Sequence, residues 1–127
     1  MGLRLYSVTF DCADPSALAA FWAGVTGYRM GTVSPFFAEL VGDGADAGPK
    51  MMFVQVPEGK AAKNRVHLDL GADDLDGEVD RVLALGAVLV DRYDEWGVVW
   101  ATFCDPEGNE FCVGHHPVPG HESGGDG

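Results

Sequence analysis

Apolar and polar positions alternate from the start of the chain. Tyr6, Val8 and Phe10 fall on one side of a two-residue period and Leu5, Ser7 and Thr9 on the other, which predicts a strand. The alternation returns later, with Val66, Leu68 and Leu70 set against Arg65, His67 and Asp69. Behind each strand the period becomes that of a helix. Asp14 before Pro15 reads as an N-cap followed by a proline whose missing N–H costs nothing at the first helical position. Ala17, Leu18, Phe21, Trp22 and Val25 then form one apolar face, and Gly27 supplies a left-handed stop. In the second stretch Asp73 or Asp74 caps a helix with Leu75, Val79, Val82, Leu83 and Leu85 as its buried stripe, ended by Gly86.

Three strand-like segments follow each helix: 28–33, 36–41 and 50–56 after the first, and 87–93, 98–103 and 109–114 after the second. Turn chemistry separates them, as in Ser34-Pro35, the Gly/Asp-rich 42–49, Asp94-Glu95-Trp96-Gly97 and Asp105-Pro106-Glu107-Gly108. The two sets are offset by about 60 residues, so the chain is a tandem repeat of one β-α-β-β-β unit. The expected fold is α+β: repeats over about 3–57 and about 64–114 build a single domain, 1–114, with a cupped mixed β-sheet around one hollow. Residues 57–64 link the repeats, and 115–127 read as a flexible tail. The alternation places Tyr6, Val8, Phe10, Val66, Leu68 and Leu70 beneath the helices and their alternates toward the hollow.

Composition narrows the partners. The 127 residues amount to about one domain, and 46% hydrophobic with 22% charged residues is an ordinary globular balance. A net charge of −12 repels phosphate backbones and anionic lipid, which argues against nucleic acid and membranes as partners. The opening residues alternate like a strand and lack the apolar block of a signal peptide, so a cytoplasmic protein is expected. Cys12, Cys104 and Cys112 are then reduced thiols, best read as small buried hydrophobes.

Three stretches carry a resemblance. Asn64-Arg65-Val66-His67-Leu68-Asp69-Leu70, Asp73-Asp74-Leu75-Asp76 and Asp105-Pro106-Glu107-Gly108-Asn109-Glu110-Phe111-Cys112-Val113 resemble the vicinal-oxygen-chelate superfamily of glyoxalase, bleomycin-resistance and dioxygenase proteins. Within it the chain is most similar to the small glyoxalase-like domain proteins common in actinobacteria. The resemblance spans about 3 to 114 and implies the glyoxalase/bleomycin-resistance fold. It also implies one divalent metal (zinc, nickel, manganese or iron) held by His or Gln on the first strand and Glu on the last strand of each repeat. Such a metal is a Lewis acid toward two neighbouring substrate oxygens.

Carrying those positions over gives Ser7 and His67 on the first strands, Cys112 on the last strand of the second repeat and, with Phe53 matched to Phe111, Val54 on that of the first. One position in four matches. Glu110, two residues before Cys112, shares its face and is the alternative carboxylate, so His67, Glu110 and Cys112 are the candidate metal ligands. His67 hydrogen-bonded to Asp69 within the hollow is one reading; His67 with Asp69 or Glu110 as an acid/base pair is another. Arg65 either anchors an anionic ligand or stays solvated at the strand entrance. Ser7, Thr9, Arg65, Trp100, Cys112 and Phe37 are the expected ligand-binding residues, Trp100 and Phe37 suiting a flat, partly apolar molecule.

The expected function is to bind a small organic molecule in the hollow without the metal, for sequestration, resistance or sensing, as the bleomycin-resistance branch implies. The alternatives are a lyase, isomerase or dioxygenase using His67 and Glu110, or a dimer whose hollow is vestigial. The resemblance implies a homodimer.

Overall fold

The computed structural model describes residues 2–44 and 47–115. The chain order is β1 (Ser7–Cys12), α1 (Pro15–Thr26), β2 (Arg29–Ser34), β3 (Phe37–Val41) and β4 (Lys50–Gln55), then β5 (Leu68–Gly71), α2 (Leu75–Ala84), β6 (Val88–Glu95), β7 (Val98–Cys104) and β8 (Glu110–His115). The expected repeat is present. One sheet runs β1-β4-β3-β2 and the other β5-β8-β7-β6, each with one parallel pair and two antiparallel pairs.

The chain divides into two compact units. The first holds the residues up to Lys63 together with the turn Asp105–Gly108. The second holds Asn64–Cys104 and the described residues from Asn109.

Both helices start where a carboxylate meets a bare backbone N–H. Asp14 accepts from Ala17 N at 3.2 Å and Asp74 from Gly77 N at 3.1 Å. In the first unit α1 lays Leu18, Ala19, Phe21, Trp22 and Val25 on the sheet, where Ala38, Leu40, Met51 and Phe53 are buried. Phe10 bridges the layers, its ring 5.4 Å from Trp22 and 5.1 Å from Phe53. In the second unit Val79 and Val82 of α2 are buried, as are Ala101, Phe103, Phe111 and Val113 of the sheet.

Several expected packing partners lie elsewhere. Tyr6 is 59% exposed and Val66 77% exposed, because β1 and β5 begin only at Ser7 and Leu68. Leu83 and Leu85 are exposed too, so α2 is held by a narrower stripe than its leucines suggest. Ala17 faces solvent and Ala19 takes its place in the core. His115 is the last residue of β8 and not the first of a tail; His116, His121 and the remainder of 115–127 lie outside the described residues. No helix among the described residues is long and apolar enough to cross a membrane.

The Asp105–Gly108 turn carries the one buried charged residue among those described. Asp105 is 3% exposed. Its Oδ2 accepts from Trp22 Nε1 at 3.0 Å, and its Oδ1 accepts from Glu107 N at 3.0 Å. Gly108, with φ 87, closes the turn by donating to the Asp105 carbonyl. Glu107 then grips the entry to α1: its two oxygens accept from Ala13 N at 2.8 Å and Asp14 N at 2.9 Å. Asp105→Ala is expected to cost about 2–3 kcal/mol, because it orphans a buried indole N–H. In a double-mutant cycle with Trp22→Phe in urea unfolding, additive losses would disprove the bond's role.

Candidate functional site

Register decides which residues share a face. In the second unit Asp69 pairs with Cys112, Cys112 with Thr102, and Thr102 with Asp91; Trp100 pairs with Tyr93. These side chains stand on the sheet face away from α2, since Leu68, Phe111, Ala101 and Phe103 alternate with them toward the helix. His67 lies just ahead of β5, and its Nδ1 is 3.2 Å from Asp69 Oδ1. Cys112 Sγ lies 3.3 Å from Thr102 Oγ1.

His67, Asp69 and Cys112 each offer a ligand atom, all within 4.8 Å of one another, and no other such group occurs among the described residues. Glu110 is not in that group. Its backbone is held by Asn64, which accepts from Glu110 N at 3.0 Å and donates to its carbonyl at 3.3 Å. This amide extends the β5–β8 pairing by one rung, a role the sequence reading missed. Burial pushes the Cys112 thiol above its ordinary pKa; the Thr102 hydroxyl opposes that, and the neighbouring Asp69 and Glu110 charges add to it.

An aromatic stack occupies the other end of the same face. Trp100 stacks with Tyr93 (4.9 Å, 21°) and with Trp96 (6.3 Å, 13°). Arg65 is exposed on the approach to β5.

The first unit presents Ser7 and Thr9 on β1, Lys50 and Met52 on β4, and Phe37 and Glu39 on β3. Lys50 Nζ sits 2.6 Å from Glu39 Oε2 and 5.2 Å above the Tyr6 ring. The Lys50 hydrogen bond holds Glu39 below the usual carboxylate range, and the reciprocal bond raises Lys50. A cavity of about 280 Å³ in this unit is lined by Ala13, Gln55, Val56 and Pro57 and contains none of the expected residues.

A family model described as "Glyoxalase-like domain" matches residues 7–114. The chain belongs to the glyoxalase-like domain family. Among solved structures it is similar to a glyoxalase/bleomycin resistance protein/dioxygenase family enzyme from Burkholderia phytofirmans PsJN, at 22% identity and TM-score 0.74, covering 89% of this chain and 98% of that one. It is also similar to the fosfomycin resistance protein FosX from Mesorhizobium loti, at 17% identity and TM-score 0.72, covering 94% and 96%. The oxidase ChaP-H2 follows at 18% identity and TM-score 0.69, covering 93% and 97%. No curated protein matches the sequence. The fold is thus that of the glyoxalase/bleomycin-resistance superfamily, as the sequence motifs implied.

The superfamily's metal can be tested against these residues. Asp14 and Asp74 cap equivalent helices, so the repeats superpose with an offset of 60 residues (74 − 14). The strand registers keep that offset: Val8 pairs with Met51 as Leu68 pairs with Phe111. Cys112 therefore corresponds to Met52, and not Val54 as the Phe53–Phe111 match suggests. Glu110 corresponds to Lys50 and His67 to Ser7. In the first unit the ligand positions thus hold a hydroxyl and a thioether, with an ammonium beside them. A neutral hydroxyl and a thioether are weak donors for zinc, nickel, manganese or iron, and the ammonium repels a cation. The four-position site does not fit this chain.

Cys12 is no nucleophile. It is 3% exposed, its thiol donates to the Val54 carbonyl, and burial together with Glu107, Asp14, Asp11 and Asp105 pushes its pKa up to about 11 from an ordinary 9.0. The folded state keeps a proton that the unfolded chain loses first, so this stability is whole below the unfolded pKa and falls as pH rises toward 11. Across that window Cys12 is expected to remove about 2–3 kcal/mol. Cys12→Ala should flatten the slope of urea stability against pH; an unchanged slope would count against the buried thiol as its source.

Proposed function

We propose that the chain binds a small organic molecule on the open faces of its sheets without the superfamily's metal, for sequestration, resistance or sensing. The observation that carries this is the first unit's set of Ser7, Lys50 and Met52 at the positions of His67, Glu110 and Cys112. Ser7, Thr9 and Phe37 are the proposed ligand-binding residues of the first unit, and Trp100, Cys112 and Arg65 those of the second. No catalytic step is needed for sequestration, and the fosfomycin resistance protein among the structural neighbours accords with a resistance role. The working form is a cytoplasmic homodimer with a small-molecule ligand and no nucleic-acid partner, in keeping with the net charge of −12.

One observation favours a second reading. His67, Asp69 and Cys112 converge within 4.8 Å, close enough for a local three-ligand metal site or, with Glu110, a metal-free acid/base pair centred on His67. Such a site would serve a lyase, isomerase or dioxygenase reaction. Against the metal form stands the thiol's raised pKa, which a bound cation must overcome.

Elemental analysis of gently purified protein separates the two. The expected result is less than about one-tenth equivalent of zinc, nickel, manganese or iron, and a melting temperature unmoved by added metal. Stoichiometric metal that disappears in His67→Ala would establish the second reading. A thermal-shift screen of aromatic and peptide-like molecules is expected to yield stabilising ligands whose effect shrinks in Trp100→Ala.

A further inference from the structure

Trp96 sits in a place that its side chain does not favour. Glu95 pairs with Val98, so Trp96 and Gly97 form a two-residue hairpin loop between β6 and β7. Their φ values of 54 and 76 are both left-handed, the geometry that favours Asn-Gly or Gly-Gly. Trp96 is the only non-glycine residue with positive φ among those described. A bulky residue here costs backbone energy, and such strain concentrates at functional positions. Its ring is also 86% exposed, so burial does not offset that cost.

The geometry explains what the ring is placed to do. It lies 13° from parallel with Trp100, which itself stacks on Tyr93. Three rings are thus stacked pairwise, and at 86% exposure Trp96 keeps a face open to a further ring. A fourth planar ring would continue the stacking at ordinary distance.

Charge selects among planar rings. Asp91, Glu95, Asp69 and Glu110 all stand on this sheet face by register. None of the four strands places a lysine or arginine there: Arg92 pairs with buried Ala101 on the helix side, where it bonds Asp76 at 2.8 Å. Glu95, next to an electron-rich indole, favours a cation there and disfavours an anion, while Asp91, Asp69 and Glu110 stand further along the sheet.

We propose that Trp96, Trp100 and Glu95 form a subsite for a flat aromatic cation, which stacks on the outer face of Trp96 with its positive charge toward Glu95. The proposal rests on the small-molecule-binding reading and names the chemistry of that ligand. It also gives the hairpin tip a purpose that the His67–Asp69–Cys112 cluster does not share.

The test uses N-methylacridinium, a planar permanent cation, and acridine-9-carboxylate, the same ring with a negative charge. Tryptophan fluorescence quenching and calorimetry follow binding to the full chain. The cation is expected to bind with one site per chain and at least tenfold more tightly than the anion, the preference shrinking in salt. Trp96→Gly suits the turn, so it should fold normally by circular dichroism while weakening the cation at least tenfold. Trp96→Phe should retain most binding, and Glu95→Gln should narrow the charge preference severalfold. Should Trp96→Gly not fold, Trp96→Asn gives the same reading, since Asn also accepts the left-handed turn. Equal binding of the two acridines, or undiminished binding by Trp96→Gly, overturns the subsite but leaves the binder reading standing. Failure of both acridines, and of every molecule in the thermal-shift screen, overturns both. A dimer that dissociates in Trp96→Gly without loss of acridinium would assign the ring to a second copy instead.

Discussion

A carboxyl group that is 3% exposed has to find its donors inside the protein. Asp105 finds them in the Trp22 indole and in the backbone of its own turn, and that constraint organises the first unit. Moving the indole would take one of those donors from the carboxylate, so Trp22 fixes the rotation of α1 on the sheet, with Phe10 and Phe21 packed around it. Glu107 acts at the start of the same helix by satisfying the N–H groups of Ala13 and Asp14. Those donors precede the Asp14 cap, so two carboxylates from different parts of the chain hold one helix entry. The most recognisable motif in the sequence, Asp-Pro-Glu-Gly-Asn, is therefore occupied by structure. Neither of its acids is left for chemistry.

The repeats agree where they face their helices and part where they face away. Met51 and Phe53 answer to Phe111 and Val113, all buried. On the opposite face Ser7, Lys50 and Met52 answer to His67, Glu110 and Cys112. Packing constrains volume and apolarity on the first face, whereas an exposed face tolerates any soluble side chain. The first unit's open face has become a closed ion pair, Lys50 with Glu39. The second unit's has stayed acidic and aromatic. Among the described residues, donor atoms close enough to share an ion stand together only in the second unit.

Legibility in the sequence followed the range of each interaction. The caps at Asp14 and Asp74 were readable because capping acts over three residues, and the repeat because its caps and glycines recur at a fixed offset. The His67–Asp69 contact was readable because residues two apart on an extended segment share a face. Register was not: matching Phe53 to Phe111 is a reasonable alignment of letters, yet hydrogen bonding pairs Phe111 with Leu68 and Phe53 with Phe10. The connections 42–49 and 105–109 differ in length, and only the ladder shows where the extra residues sit. The Trp22–Asp105 bond spans 83 residues, beyond any local pattern. Val66 and Tyr6 had the right period for core positions, but period says nothing of where a strand begins.

In the second unit the thiol and the imidazole are each held by a neighbour. A thiol that burial holds protonated beside Asp69 behaves as a hydrogen-bond donor more than a ligand. An imidazole held at 3.2 Å from a carboxylate is oriented, as a positioned polar contact requires. The aromatic rings at the far end of the sheet are stacked pairwise, Tyr93 with Trp100 and Trp100 with Trp96. Lys50 is engaged by Glu39 in its own unit and Arg92 by Asp76 on the helix side of its sheet, so neither cation offsets the carboxylates of the second open face. Arg65 lies ahead of β5, so at the hairpin end Glu95 sets the sign of the local charge. Selectivity on this face thus follows from where the cations were placed as much as from the rings themselves.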